Sequence, residues 1–198
     1  MNALSHPETG THPASAAHAG EGDAPSDIAV TLPQMLARRE ARVATQHALR
    51  ERWACPVVSL TLVTPGPIKD SVDARVVFAE GLRAIAATFD MLGARVLACE
   101  QVLAITGPEA IYAVDADAQA LKRALVALEE QHPLGRLWDA DVIAPDGASV
   151  ARRELDVPPR RCLVCEEPAH GCARSARHSL AELQEVIRSR IDAWRARS

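Results

Sequence analysis

No apolar run in this 198-residue chain approaches the roughly 20 residues needed to span a bilayer, so no segment reads as a transmembrane helix. The N-terminus lacks the basic-then-apolar order of a secretory signal, and the expectation is a soluble, cytoplasmic protein. Strong net charge is missing too. A formal charge of −4 and a pI near 6.0 exclude global attraction to nucleic acid or to an acidic membrane, so any grip on polyphosphate has to come from local basic clusters. Internal repeats are absent, and so is an even cysteine count. Five cysteines in a reducing compartment argue for thiols or metal ligation rather than a disulfide scaffold. Residues 1–27 have almost no large apolar side chains to offset ordering entropy, which predicts a disordered extension whose His12 and His18 are simply solvated.

What is present suffices for one folded domain over residues 28–198, since 48% of the chain is hydrophobic. Leu36, Val43, Leu49 and Trp53 have helical spacing over 32–53, with Pro33 in the first turn and Pro56 marking the end. The β-branched, alternating stretch 57–64 predicts a strand broken by Pro65-Gly66-Pro67. Phe78, Leu82, Ile85, Phe89 and Leu92 predict a helix capped by Gly93. Strands follow over 95–105 and 111–114, joined by the tight Thr106-Gly107-Pro108-Glu109 connection. Leu121, Leu125 and Leu128 line a second helix that Pro133 stops, and 136–144 reads as a last strand.

The order βαββαβ predicts an α+β fold with a ferredoxin-like core, an added N-terminal helix and a C-terminal Cys/His-containing helical segment over about 158–198. Right-handed crossovers put the strands in the order fourth, first, third, second, with the helices on one face. Three punctuated loops then meet at one rim. They carry Gly66 and Lys69, then Thr106, Gly107 and Glu109, then His132, Gly135 and Arg136 with Asp139 and Asp141 behind.

Asp139 and Asp141 share one face of the last strand while Trp138, Ala140 and Val142 share the other. Two carboxylates so placed supply hard oxygen ligands for Mg²⁺, which also takes phosphate and water; the competing explanation is an edge strand kept soluble by charge. Lys69 follows a Gly-Pro turn at the start of a helix, where a cation and free amides can hold phosphate, although the full phosphate-loop pattern is lacking. Arg136, Arg160 and Arg161 can add bidentate contacts or remain surface charge. Cys162-x-x-Cys165 with Cys172 and His178 offers four ligands for tetrahedral Zn²⁺; a redox-active thiol pair and small buried side chains are the alternatives. Ser179 and Glu182 form a capping box for a final helix.

Taken together, Gly66-Pro-Ile-Lys69, Thr106-Gly-Pro-Glu109, His132-Pro-Leu-Gly-Arg-Leu-Trp-Asp139-Ala-Asp141-Val, Pro159-Arg-Arg-Cys162-Leu-Val-Cys165 and Cys172-Ala-Arg174 with His178 resemble the apo-citrate lyase phosphoribosyl-dephospho-CoA transferase family. The resemblance runs from the first helix to the last and omits only the N-terminal extension. It implies an enzyme that takes 2′-(5″-triphosphoribosyl)-3′-dephospho-CoA and attaches it to a serine of the acyl carrier subunit of citrate lyase, releasing pyrophosphate. A parallel transferase of malonate decarboxylase has a Gly-Asp-x-Asp motif. This chain departs from it, because Arg136, Leu137 and Trp138 separate Gly135 from Asp139, so the shared chemistry is an analogy.

On that analogy Asp139 and Asp141 hold Mg²⁺, Lys69 and Arg136 stabilise pyrophosphate, and Arg160 and Arg161 contact phosphate or the acidic carrier. The cysteine cluster braces the C-terminal segment. Two other readings compete: a non-catalytic, zinc-stapled module that binds a partner, and a nucleotidyltransferase acting on a different carrier.

Overall fold

The computed structural model describes residues 24–197; most of the expected extension, with His12 and His18, lies outside the described residues. Of its last residues, Ser26 and Asp27 donate their backbone N–H groups to the side chain and backbone carbonyl of Asp70.

Local signals set the helix ends. Helix α1 (Leu32–Trp53) opens on a reciprocal cap: Thr31 Oγ1 accepts from Gln34 N while Gln34 Oε1 accepts from Thr31 N. Strand β1 (Val57–Leu62) leads to helix α2 (Val72–Leu92), capped by Ser71 and closed by Gly93 at φ 63°. Strands β2 (Arg95–Val102) and β3 (Glu109–Asp115) precede helix α3 (Ala118–Gln131), and β4 (Trp138–Ile143) completes the sheet. A short helix α4 (Ala169–Arg174) and helix α5 (Leu180–Arg195) follow, α5 opening on the Ser179–Glu182 capping box. No helix among the described residues is long and apolar enough to cross a membrane.

The result is a mixed α+β architecture, a four-stranded sheet ordered β4-β1-β3-β2 in which every neighbouring pair is antiparallel. One face carries Val58, Leu60, Tyr112, Val114, Trp138 and Val142 against Val77, Phe78, Ile85 and Phe89 of α2 and Leu121 and Leu125 of α3. Each fully buried side chain of this size contributes roughly 1.5–3 kcal/mol relative to exposure. The other face does not stay open. Val57, Ile111 and Ala113 are covered by Leu49 of the added helix α1 and by Cys55, while the two crossover helices α2 and α3 share the first face.

Three strand limits differ from the sequence reading. β1 ends at Leu62 and β2 at Val102, short of 64 and 105, while β3 begins already at Glu109. The stretch 136–144 does not start as a strand: Gly135–Leu137 forms a 3-10 turn and β4 begins at Trp138. Packing dictates this. Leu134 and Leu137 are buried, and the turn presses so hard on the end of α3 that a Cβ on Gly135 would lie 2.5 Å from the carbonyl oxygen of Leu128.

Candidate active-site cleft

Beyond the end of β1 the chain leaves the sheet at Val63 and Thr64, and the C-terminal segment folds back over it. Between them lies a cleft of about 760 Å³, whose lining includes Lys69, Arg136, Asp139, Arg160, Arg161 and His178. Charged groups from three separate sequence regions, with His178 from a fourth, therefore converge there. Lys69 Nζ donates to the carbonyl of Thr64 at 2.5 Å, and partial burial lowers its pKa. Arg136 donates through Nη2 to the backbone carbonyl of Arg161 and, at 3.4 Å, to that of Cys162; burial, then Arg160 and Arg190, lower its pKa. Among the described residues neither Lys69 nor Arg136 has a carboxylate within ion-pair distance, 4.0 Å. Both line the cleft with carbonyl oxygens rather than carboxylates as direct partners.

Strand alternation puts Asp139 and Asp141 on the face opposite the main core, opposite Thr61 and Ser59 of β1 and beyond the part of the sheet that α1 covers. Asp139 faces the cleft. Asp141 opens instead into an adjoining hollow lined by Lys122, Glu129, Asp139 and Arg152. Partial burial and the neighbouring Asp141 raise the pKa of Asp139, opposed by Arg160 and Lys122. Arg160 links the parts: it donates to the carbonyls of Trp138 at 2.5 Å and Arg136 at 2.9 Å, and pairs with Asp139 at 3.3 Å and Glu129 at 3.1 Å.

The outer edge of β4 is satisfied by side chains. Ala140 N donates to Glu129 Oε1 at 2.9 Å, Lys122 Nζ donates to the Ala140 carbonyl at 2.8 Å, and Arg152 pairs with Glu129 at 2.7 Å. Sequence reasoning missed Lys122, Glu129 and Arg152. A signal for the first two existed: with Leu121, Leu125 and Val126 they make up the buried stripe of α3, where a lysine and a glutamate require partners.

Other predicted site residues lie around the cleft rather than on it. Glu109 is 3% exposed and bound by Arg38 and Arg42 of α1. His132 stacks on Trp138 with ring centroids 4.5 Å apart, accepts Leu134 N–H at Nδ1 and meets Glu80 at 3.3 Å; burial lowers its pKa, against the pull of Glu80. Gly107, at φ 100°, lets the turn approach the Lys69 backbone, where a Cβ would sit 3.2 Å from its carbonyl oxygen. Thr106 Oγ1 beside it is shielded from water without a hydrogen-bond partner among the described residues. Gly66, at φ 92°, sits under Leu180 and Gln184 of α5. Gly135 seats the turn that aims Arg136.

All five cysteines are free thiols. Cys162, Cys165, Cys172 and His178 bring one ligand atom each to within 4.8 Å of one another, a set that could hold a metal such as zinc. Cys162, Cys172 and His178 also line the cleft, as does His170, which the sequence reading did not single out.

Comparison with known proteins gives matches over most of the described residues. The family model described as apo-citrate lyase phosphoribosyl-dephospho-CoA transferase matches residues 30–194. A protein of that name from Escherichia coli O1:K1 is 42% identical over 171 residues, covering 85% of this chain and 93% of the relative. Its namesake from Citrobacter koseri is 45% identical over 155 residues, 78% of this chain and 85% of the relative. One from Shigella boydii serotype 18 is 42% identical over 171 residues.

Proposed function

The chain belongs to the apo-citrate lyase phosphoribosyl-dephospho-CoA transferase family, and from that premise we propose that its cleft binds triphosphoribosyl-dephospho-CoA and passes the nucleotide to a serine of the citrate lyase acyl carrier subunit. Transfer of the phosphoribosyl-dephospho-CoA group to apo-citrate lyase is the reaction the family is named for. The observation that carries the reading to this site is the pair of unpaired cations, Lys69 and Arg136, facing the same space as Asp139.

In the proposed step the serine oxygen attacks the α-phosphorus, a new P–O bond forms, and the bond to the bridging oxygen of the pyrophosphate breaks with its electrons. Little covalent work falls to the protein; alignment and charge neutralisation dominate. Lys69 and Arg136 meet the departing pyrophosphate. Arg161 lines the cleft in an exposed pair with Glu166, a partner that phosphate or an acidic carrier would displace. Arg160 is already engaged by two carboxylates and two carbonyls, which suits it to hold Asp139 in place. The serine proton passes to Asp139, the carboxylate that faces the cleft, whose raised pKa makes it a better base. Asp139 lines both the cleft and the hollow into which Asp141 opens, so the two carboxylates would hold Mg²⁺ as hard-oxygen donors at the junction of the two spaces; when bound, the ion would neutralise phosphate charge.

The scaffold supports a ferredoxin-like split βαββαβ reading through its connectivity and strand order, and we take residues 28–198 as one transferase domain. A cytoplasmic setting suits its free thiols.

The test is incubation with donor, Mg²⁺ and apo carrier, followed by the intact mass of the carrier. The expected result is a gain equal to the donor less pyrophosphate, abolished by changing the acceptor serine to alanine. No gain would favour the non-catalytic partner-binding module, and gain only with another carrier the broader nucleotidyltransferase.

A further inference from the structure

We propose that Cys162, Cys165, Cys172 and His178 bind one Zn²⁺ tetrahedrally, and that this ion holds the C-terminal segment in place as a wall of the donor cleft. The geometry fits. Cys165 Sγ lies 3.5 Å from Cys172 Sγ and 3.3 Å from His178 Nε2. A tetrahedral ion with Zn–S near 2.3 Å and Zn–N near 2.0–2.1 Å needs S···S of about 3.8 Å and S···N of about 3.6 Å. These two pairs lie within a few tenths of an ångström of those separations, and all four ligand atoms lie within 4.8 Å of one another, so shifts of about an ångström or less bring the set onto a metal.

Each ligand is delivered by a defined piece of backbone. Cys162 N donates to Glu167 O at 2.7 Å and Ala169 N to Arg160 O at 2.8 Å, so the chain makes a small antiparallel knuckle with Cys165 at its tip. Cys172 sits on α4. Arg177 N closes back on Cys172 O at 3.1 Å while Ala176 adopts φ 46°, a left-handed turn that brings His178 round to Cys165. The cap at Ser179 then fixes the residue following that histidine.

Burial explains why a metal is needed. From residue 156 through 180 Cys172 is the one buried side chain, with Val157 and Leu163 packed half-buried against the main core, little apolar contact to hold 25 residues in a unique arrangement. Structural Zn²⁺ supplies folding energy in that situation. Binding releases the three thiol protons, leaving a site of net charge −1 with a neutral imidazole. Arg136, whose guanidinium donates to the carbonyls of Arg161 and Cys162, ties this knuckle to β4 and so to Asp139. Loss of the ion would therefore move Arg136, Arg161 and the wall together. That the wall serves the donor rests on the function proposed above; the metal site itself does not.

Full-length protein purified without chelator is assayed for zinc and, after exchange, for the thiolate-to-Co²⁺ charge-transfer bands of a Co²⁺-loaded site. One ion per chain is expected, lost in Cys165→Ser and retained in Cys99→Ser, whose thiol lies on β2. Zinc near zero without Co²⁺ bands overturns the site, as does a thiol count showing two of the three cysteines oxidised to a disulfide. Chelated wild-type protein is the second arm. Its main melting transition persists, residues 160–178 become sensitive to protease, and donor KM rises by about tenfold or more, reversed by Zn²⁺. One zinc per chain with unchanged donor KM after removal overturns the wall role. A loaded protein that transfers nothing sinks the transferase reading and leaves the metal readouts standing.

Discussion

Asp139, the base in the proposed transfer, sits where its charge costs stability. Its folded pKa lies above the unfolded value near 3.9, so the folded chain binds that proton more tightly. Stability from this group is therefore fullest below the unfolded pKa and declines as pH rises through the interval up to the folded value. At neutral pH its charge opposes folding. The side chain is 51% exposed, which keeps the effect small. Asp139→Asn should accordingly give a Tm at pH 7 equal to or above that of the unaltered protein, while transfer to the carrier falls by about 10²-fold or more. A variant that keeps full transfer activity would remove Asp139 from the mechanism. Lys69 is the complementary case. Its pKa is lowered by burial, and a bound polyphosphate would restore the favourable setting for its charge, so Lys69→Ala should raise donor KM without changing the melting curve.

At the scale of elements, helix α2 carries a glycine in mid-helix, usually about 1 kcal/mol worse than alanine. Here the ordinary expectation reverses. A Cβ on Gly81 would lie 2.8 Å from Trp138 Nε1, the atom that donates to the Val77 carbonyl at 2.9 Å. Gly81→Ala should thus destabilise by about 1–3 kcal/mol in chemical denaturation, through displacement of the indole. Helix α1 is fastened in a different way, by Arg38 and Arg42 closing on the buried carboxylate of Glu109. Glu109→Gln removes the charge that both arginines serve, and the loss should reach about 2–3 kcal/mol, moderated because the arginines remain partly solvated. Donor KM should stay unchanged; an increase with stability intact would give Glu109 a direct part in substrate binding.

For the molecule as a whole, a net charge of −4 coexists with a cleft whose free charges are positive. Long-range repulsion of a polyanionic donor is thus overcome locally, and added salt screens the local attraction over a Debye length of about 10 Å at 0.1 M. Raising NaCl to about 0.3 M should increase donor KM several-fold with kcat nearly constant; a flat response would argue against electrostatic capture. Much of the scaffold was legible in the chain, because helix periods, Ser and Thr caps, Gly93 and the alternation of β4 depend on residues a few positions apart. The sequence by itself determined the order of the main helices and strands, though not every limit, that Asp139 and Asp141 share a face, and that four side chains able to ligate a metal lie close together near the C-terminus. Only the tertiary structure decided that α1 would cover the second sheet face and bind Glu109, that Lys122, Glu129 and Arg152 would close the edge of β4, and that Lys69, Arg136 and Asp139 would share one cleft while Asp141 turned aside. The reason is physical: such contacts join residues tens of positions apart, and a charge destined for burial is written with the same letter as one left in water.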